Sequence, residues 1–340
     1  MRHRSLALAL LTVAALIAVA AGGYWVWWAG QLERGIAQWR EQQRLRGYEI
    51  TYGGPAIDGF PLAHVARFDG PAIRSPDGTR WRGPALSARA ALWDPYTIAV
   101  SFAGRHVVER LNAGRLDTAT LDSREADGLL RLRGDGRLES ADATLLGLEV
   151  LAEPLGRFAS GWLRLSLTPD YGPETGLVLG YDFAVETSQL QIPTTLAAPL
   201  DPTAERILAV GRLDGIFPQT EPRRALAAWR DGGGALELER VEVEWPPLGV
   251  TASGRLTLDD QLRPEGQLAA RIAGLPELLD RLVEQGLMTA QQVSNIKLAV
   301  LVFAGERDDK SRPVLAAPLI FRAGILSLGP LPLARISPVL

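Results

Sequence analysis

Between Val250 and Leu258 the even positions Val250, Ala252, Leu256 and Leu258 are apolar, and the odd positions Thr251, Ser253, Arg255 and Thr257 are polar. That period of two belongs to a half-buried strand. Asp259-Asp260 and Pro264–Gly266 then bracket a turn, and the alternation resumes on the same parity at Leu268, Ala270 and Ile272. Two such strands put their apolar side chains on one face of an antiparallel pair. After Gly274 the period becomes helical: Leu275, Leu278, Leu279, Leu282 and Val283 fall at i, i+3, i+4, i+7 and i+8, and Gly286 is placed to end the helix. So short a helix is marginal alone in water. Burying its five apolar side chains is worth about 7–15 kcal/mol before entropy, so it is expected only docked on the sheet.

The same strand period recurs along the chain. Leu86, Ala88, Ala90 and Leu92 share one parity with Tyr96, Ile98, Val100 and Phe102 across Asp94-Pro95, which reads as a hairpin with its turn at those two residues. Further strands are expected around Leu163–Leu167, Leu177–Val185, Ile207–Phe217, Ile296–Phe303, Val314–Phe321 and Ile325–Leu328. Leu236 and Leu238 are even while Val241, Val243 and Trp245 are odd, a slip of one residue that predicts a β-bulge near Arg240. A helix carrying Leu226 and Trp229, capped by Thr220 and stopped by Gly232–Gly234, is expected over 221–231. The fold class is therefore mainly β with a few helices (α+β): an N-terminal transmembrane helix, then an extended, curved antiparallel sheet with short covering helices. The expected organisation is an anchor or signal segment over 1–30, a juxtamembrane helix over 31–47 and an N-terminal β region over 48–190. A Pro-rich break over 191–206 and a C-terminal β region over 207–340, with helices near 221–231 and 275–285, complete it.

Arg2 and Arg4 precede an apolar run, Leu6–Trp28, interrupted only by Thr12 and Gly22-Gly23. As a helix it would be about 34 Å long, enough for a bilayer core of ~30 Å. Tyr24, Trp25, Trp27 and Trp28 sit where an interfacial aromatic belt is expected. Ala18-Val19-Ala20 also fits a signal-peptidase site, which would give a cleaved periplasmic form. The apolar run continues past that site, which favours an uncleaved, single-pass inner-membrane anchor with the body in the periplasm. Beyond it, Leu32, Ile36, Trp39 and Gln43 form a thin stripe that reads either as a stalk lying on lipid or as a spacer docked on the globular body.

Composition removes several function classes. The chain has 340 residues, a net charge of −3 and no cysteine, so it carries no nucleic-acid footprint, disulfide or thiolate chemistry. Its three histidines, His3, His64 and His106, are too few for a His-rich metal site, and no nucleophile elbow or phosphate loop is present. Asp259-Asp260 and Asp308-Asp309 lie in turn contexts, where Asp bonds the backbone. No catalytic residue, metal or cofactor is expected, and the reading is non-enzymatic.

Gly59-Phe60-Pro61, Trp93-Asp94-Pro95, the unit from Trp245-Pro246-Pro247-Leu248 to Gly286 and the closing Leu328-Gly329-Pro330-Leu331-Pro332-Leu333 occur in that order behind the apolar N-terminus. Together they resemble the bacterial family known as domain of unknown function 2125. The resemblance covers nearly the whole chain and is similar in kind to membrane-anchored, AsmA-like envelope proteins. By analogy it implies lipid handling and carries over no functional residue.

A long sheet with one apolar face and few helices to cover it suggests a groove for lipid. Sheltering a 14-carbon chain from water is worth about 10 kcal/mol. The residues expected to face lipid are Leu86, Leu92, Tyr96, Ile98, Val100, Leu179, Phe183, Val250, Leu256 and Leu268. The alternative is a structural adaptor with a closed core and no lipid, binding another envelope protein through a sheet edge or the Pro-rich C-terminus.

Overall fold

The computed structural model describes residues 2–112, 115–173, 176–218, 221–303 and 305–339; the side chains of 2–21, 111–112, 222, 295 and 299–303 lie outside that description. Among the described residues the chain is mainly antiparallel β-sheet, with nineteen strands and five helices. It divides into two compact units, Met1–Glu139 with Val150–Pro154, and Ser140–Glu149 with Leu155–Leu340.

In the first unit α1 runs unbroken over Arg2–Leu45, so the expected anchor segment and juxtamembrane helix are one element. Among the described residues no helix is long and apolar enough to cross a membrane, and most side chains of the Leu6–Trp28 run lie outside them. The chain reverses at Gly47 into β1 (Glu49–Asp58), which pairs antiparallel with β2 (Ala63–Arg74). The first half of β2 pairs with β4 (Leu86–Ala91), and its last three residues pair with β3 (Arg80–Arg82). β5 (Asp94–Ser101) pairs with β4 and β8 (Glu125–Leu132), while β6 (Gly104–Asn112) pairs with β3 and β7 (Arg115–Ser123). Thus β3–β4, β5–β6 and β7–β8 are successive strands, each bent midway. Pro84, which has no N–H to donate, and Gly104, at φ +115°, mark two of the bends.

The hairpin between β4 and β5 differs from its expectation in one respect. Its turn is Leu92-Trp93, with Ala91 opposite Asp94, so Asp94-Pro95 begins the returning strand. The ladder then shifts before Ala90 meets Ile98, because Pro95 cannot donate to it.

β9 (Leu138–Ala152) contributes Ser140–Glu149 to the second unit. There β10 (Gly156–Tyr171), β11 (Val178–Gln191), β12 (Thr203–Asp214), β13 (Ala235–Trp245), β14 (Leu248–Leu258) and β15 (Pro264–Ala273) pair in order, each antiparallel to the next. The Pro-rich stretch 191–206 lies inside this unit. Its ends belong to β11 and β12, and between them sits the short α2 (Thr194–Ala197). The slip read at Arg240 is a bulge: Leu238 faces Gly254 and Val241 faces Ala252, so two residues of β13 oppose Ser253 alone. Val250 faces Ile272 and Ala252 faces Ala270, as the shared parity requires. The turn between β14 and β15 spans Asp259–Arg263, closed by a bond from Asp259 N to Arg263 O, so Pro264–Gly266 belong to the strand.

α3 (Pro222–Asp231) is capped by Glu221, whose carboxylate accepts from the N–H groups of Arg223 (3.1 Å) and Arg224 (3.3 Å); the cap expected at Thr220 falls outside the described residues. Its Trp229 is buried, stacks on Phe217 at 5.5 Å and donates to Asp214 O at 2.7 Å. Gly234 lies against the indole so closely that any Cβ there would collide with it. α4 (Leu275–Glu284) carries the five apolar residues expected of it, with Leu279 buried and Gly286 at φ +71° beyond its end.

The strand expected at Ile296–Phe303 is instead the end of a helix, α5 (Ala290–Phe303). Thr289 and Gln292 form a reciprocal cap at its start, Gln292 N donating to Thr289 Oγ1 (3.3 Å) and Thr289 N to Gln292 Oε1 (2.9 Å). Lys297 bonds Asp280 of α4, tying the two helices together. After β16 (Glu306–Arg307), β17 (Pro313–Arg322) pairs with β15, and β18 (Ile325–Leu328) and β19 (Leu331–Arg335) close the sheet. Ala252, Leu268, Ala270 and Ile272 form the buried centre of the unit, with Leu238, Val250, Leu256 and Leu275 packed around them.

Candidate functional site

In α1, Trp28, Leu32, Gly35, Ile36 and Trp39 recur at i, i+4, i+7, i+8 and i+11, one stripe along the helix. This stripe lies over the first unit's sheet and lines with it an open-sided cavity of about 570 Å³. The sheet side is made by Ile50 and Tyr52 of β1, Phe68 and Ile73 of β2, Trp81 of β3 and Leu86 of β4. Phe68 and Ile73 differ in parity yet line the same cavity, because the β1–β2 register shifts where Gly53 stands opposite Asp69. Tyr52 meets Phe68 edge to face at 5.2 Å, and the Arg40 guanidinium lies 5.6 Å from the Tyr52 ring centre. A Cβ built on Gly35 would meet nothing within 4 Å, so the helix wall is open at that residue.

One end of the stripe is pinned. Trp25 Nε1 donates to Ala63 O at 2.7 Å, and its ring stacks on His64 at 5.3 Å. Burial pushes the His64 imidazole below its ordinary pKa. Tyr24 and Trp27 are exposed, while Trp28 donates from Nε1 to Tyr24 Oη at 2.7 Å. The four residues expected at a membrane interface thus split, with Trp25 docked on the sheet and Tyr24 and Trp27 facing outward.

The ten residues expected to face lipid fall in the two different units. Leu86 lines the α1 cavity. Leu86 pairs with Phe68, Ala88 with Val100 and Ala90 with Ile98, so Ile98 and Val100 share that sheet face and are half-buried. Leu92 is half-buried in the β4–β5 turn and Tyr96 is exposed. In the second unit Leu179 is exposed and Phe183 half-buried, while Val250, Leu256 and Leu268 belong to the core. The helix stripe was legible in the sequence, but the aromatic wall opposite it was not. Gly53-Gly54-Pro55 and Gly70-Pro71 interrupt the alternation of β1 and β2 and hide both strands.

A second apolar cavity, of about 580 Å³, lies in the second unit between α4, Ile296 of α5, Leu315 of β17 and the stretch Leu328–Leu333 that runs from the end of β18 into β19. The carboxylate pairs are committed to turns. Asp259 accepts from Arg263 N (3.0 Å) and Nε (2.7 Å), and Asp308 accepts from Arg312 N (2.6 Å) and Nε (2.7 Å). Burial raises both carboxyls, but these bonds outweigh it and hold both below the ordinary carboxylate value. Among the described residues no group of three or more His, Asp or Glu is placed to hold a metal ion.

The family described as "Uncharacterized protein conserved in bacteria (DUF2125)" matches residues 25–337. No curated protein and no solved structure matches the chain.

Proposed function

The chain belongs to the DUF2125 family of bacterial proteins, and from that premise we propose a non-enzymatic, lipid-binding role for it in the cell envelope. In this reading Leu6–Trp28 is an uncleaved inner-membrane anchor and the body lies in the periplasm. An acyl chain occupies the cavity between α1 and the first unit's sheet. The observation that carries the reading is that cavity: about 570 Å³, walled by aliphatic and aromatic side chains, and built on the same helix as the apolar run. Its size falls within the ~300–1,000 Å³ range of ligand pockets. The predominantly apolar walls offer an acyl chain about 0.8 kcal/mol per buried CH₂, and among the lining side chains none carries a charge to pair with a charged ligand.

Native mass spectrometry of the full chain purified from membranes tests this. About one phospholipid per chain is expected, and Gly35→Leu, which sends a side chain into the open part of the cavity, should cut that occupancy at least tenfold while the protein stays folded. A wild-type chain that carries no lipid removes the reading. The adaptor reading has one observation in its favour: β19, whose partner is β18, is exposed along its length, with Leu331 and Leu333 presented at the edge. A lipid-free chain would direct attention there.

A further inference from the structure

The two ends of β2 carry turns of opposite character. At its far end the chain turns through Ser75-Pro76-Asp77-Gly78-Thr79, a polar turn in which Asp77 accepts from Thr79 N at 3.1 Å. At its near end the turn is Gly59-Phe60-Pro61-Leu62, and Phe60 and Leu62 are left exposed. Three elements meet at that near end. Trp25 of α1 bonds Ala63 O, Leu92 N donates to Leu62 O at 3.0 Å, and the Phe60 ring lies against Gly22 and edge-on to Trp25 at 5.6 Å. The β4–β5 turn therefore sits beside the β1–β2 turn and brings Trp93 with it. Tyr24, Val26, Trp27, Phe60, Leu62 and Trp93 are thus gathered at one place, with exposures from 45% at Tyr24 to 75% at Trp93.

We infer that this end of the first unit rests in the membrane surface, with Phe60, Leu62 and Trp93 entering the headgroup region beside Tyr24 and Trp27. The patch surrounds the point where α1 continues into the apolar run, so one lipid surface would cover the helix and both turns together. Trp and Tyr favour that boundary, where an apolar ring is shielded and its polar edge stays wet. Asp58 at the rim is paired with Arg67 at 3.3 Å. The 12 residues of β2, at about 3.3 Å each, would then hold the Ser75–Thr79 turn roughly 40 Å away from the bilayer. The Trp28 end of the α1 cavity, one helical turn from Tyr24, would lie close to the lipid. This inference rests on the anchor reading of Leu6–Trp28 and adds to it which end of the body meets the bilayer.

Because the chain has no cysteine, single replacements place a spin label uniquely. The full chain, carrying Leu16→Cys, Leu62→Cys, Trp93→Cys or Arg80→Cys one at a time, is reconstituted in nanodiscs of phosphatidylethanolamine and phosphatidylglycerol. Accessibility of each label to oxygen and to a water-soluble nickel chelate is then measured. Labels at 62 and 93 are expected to favour oxygen several-fold over the label at 80 and to lie shallower than the label at 16. If 62 and 93 match 80 while 16 is deep in lipid, the anchor stands and the inference falls. If the label at 16 is also aqueous, both fall. Labels at 62 and 93 shielded from both reagents would place a protein on the patch and overturn it as well.

Discussion

His64 stands where α1 meets the first unit's sheet, 7% exposed, with Trp25 stacked on one side and Trp28 tilted over it at 6.4 Å. Among the described residues neither ring nitrogen has a hydrogen-bond partner, and burial lowers its pKa below 6.5. The folded state therefore resists protonation more than the unfolded chain does. Between the lowered folded pKa and about 6.5 the unfolded chain binds more protons, so stability rises with pH through that window. The contribution of neutral His64 is fully present above about 6.5 and is lost as pH falls through the folded value. Hydrogen-exchange protection along residues 24–39, corrected for the intrinsic rate at each pH, should fall between pH 7 and pH 5, and His64→Phe, which keeps the ring stack without a titrating group, should flatten that dependence. An unchanged pH profile in the variant would mean that other groups govern the docking of α1.

Among the elements, β13 gives a sharp test of how register is held. Its bulge lets Leu236 and Leu238 share a face with Val241 and Val243, although the two pairs differ in parity. Deleting Arg240 would turn the strand into a regular alternation with the same residues on that face, so this variant should fold and melt close to wild type. Deleting Thr251 from β14 has no such absorber. It would turn Leu248 and Val250, both packed on the core, to the opposite face, at a cost of up to about 3–6 kcal/mol. Equal melting temperatures for the two deletions would refute this account of the register. The bulge was readable because one-residue slips are visible wherever alternation is strict. α5 was not readable by the same rule, since the apolar run Ile296–Phe303 fits a buried strand or a buried helix equally well. The deciding signal lay just outside the run, in the Thr289-to-Gln292 spacing of a capping box. Leu92-Trp93 escaped notice as a turn because Asp94-Pro95 next to it is the stronger turn signal, although Pro can also open a strand. The cavity was beyond sequence reading for a different reason: its walls come from α1 and four strands, and only α1 and β4, which contributes Leu86, keep an unbroken period.

For the molecule as a whole, ion pairs leave little stability to account for, because among the described residues most of them lie at the surface, the sheltered Asp259–Arg263 and Asp308–Arg312 pairs of the turns excepted. Arg206 between Glu186 (2.7 Å) and Glu242 (3.1 Å) is representative, and exposed pairs of this kind contribute about 0–1 kcal/mol each. An acyl chain in the α1 cavity would act on a different scale, since a ligand that binds only the folded state at about 100 times its Kd adds about 2.7 kcal/mol. With roughly 2–4 °C per kcal/mol for a domain of this size, phospholipid restored to the delipidated full chain in amphipol should raise Tm by about 5–10 °C. The rise should persist in high salt, because an apolar cavity is not screened. Gly35→Leu separates filling from other effects of lipid. Replacing a mid-helix glycine gains about 1 kcal/mol of helix propensity, and the new side chain occupies the space the acyl chain would take. The variant should therefore melt above delipidated wild type and gain nothing from added phospholipid. A lipid-induced rise of the same size in the variant would place the bound lipid elsewhere, with the second unit's cavity between α4 and β17 the next place to look.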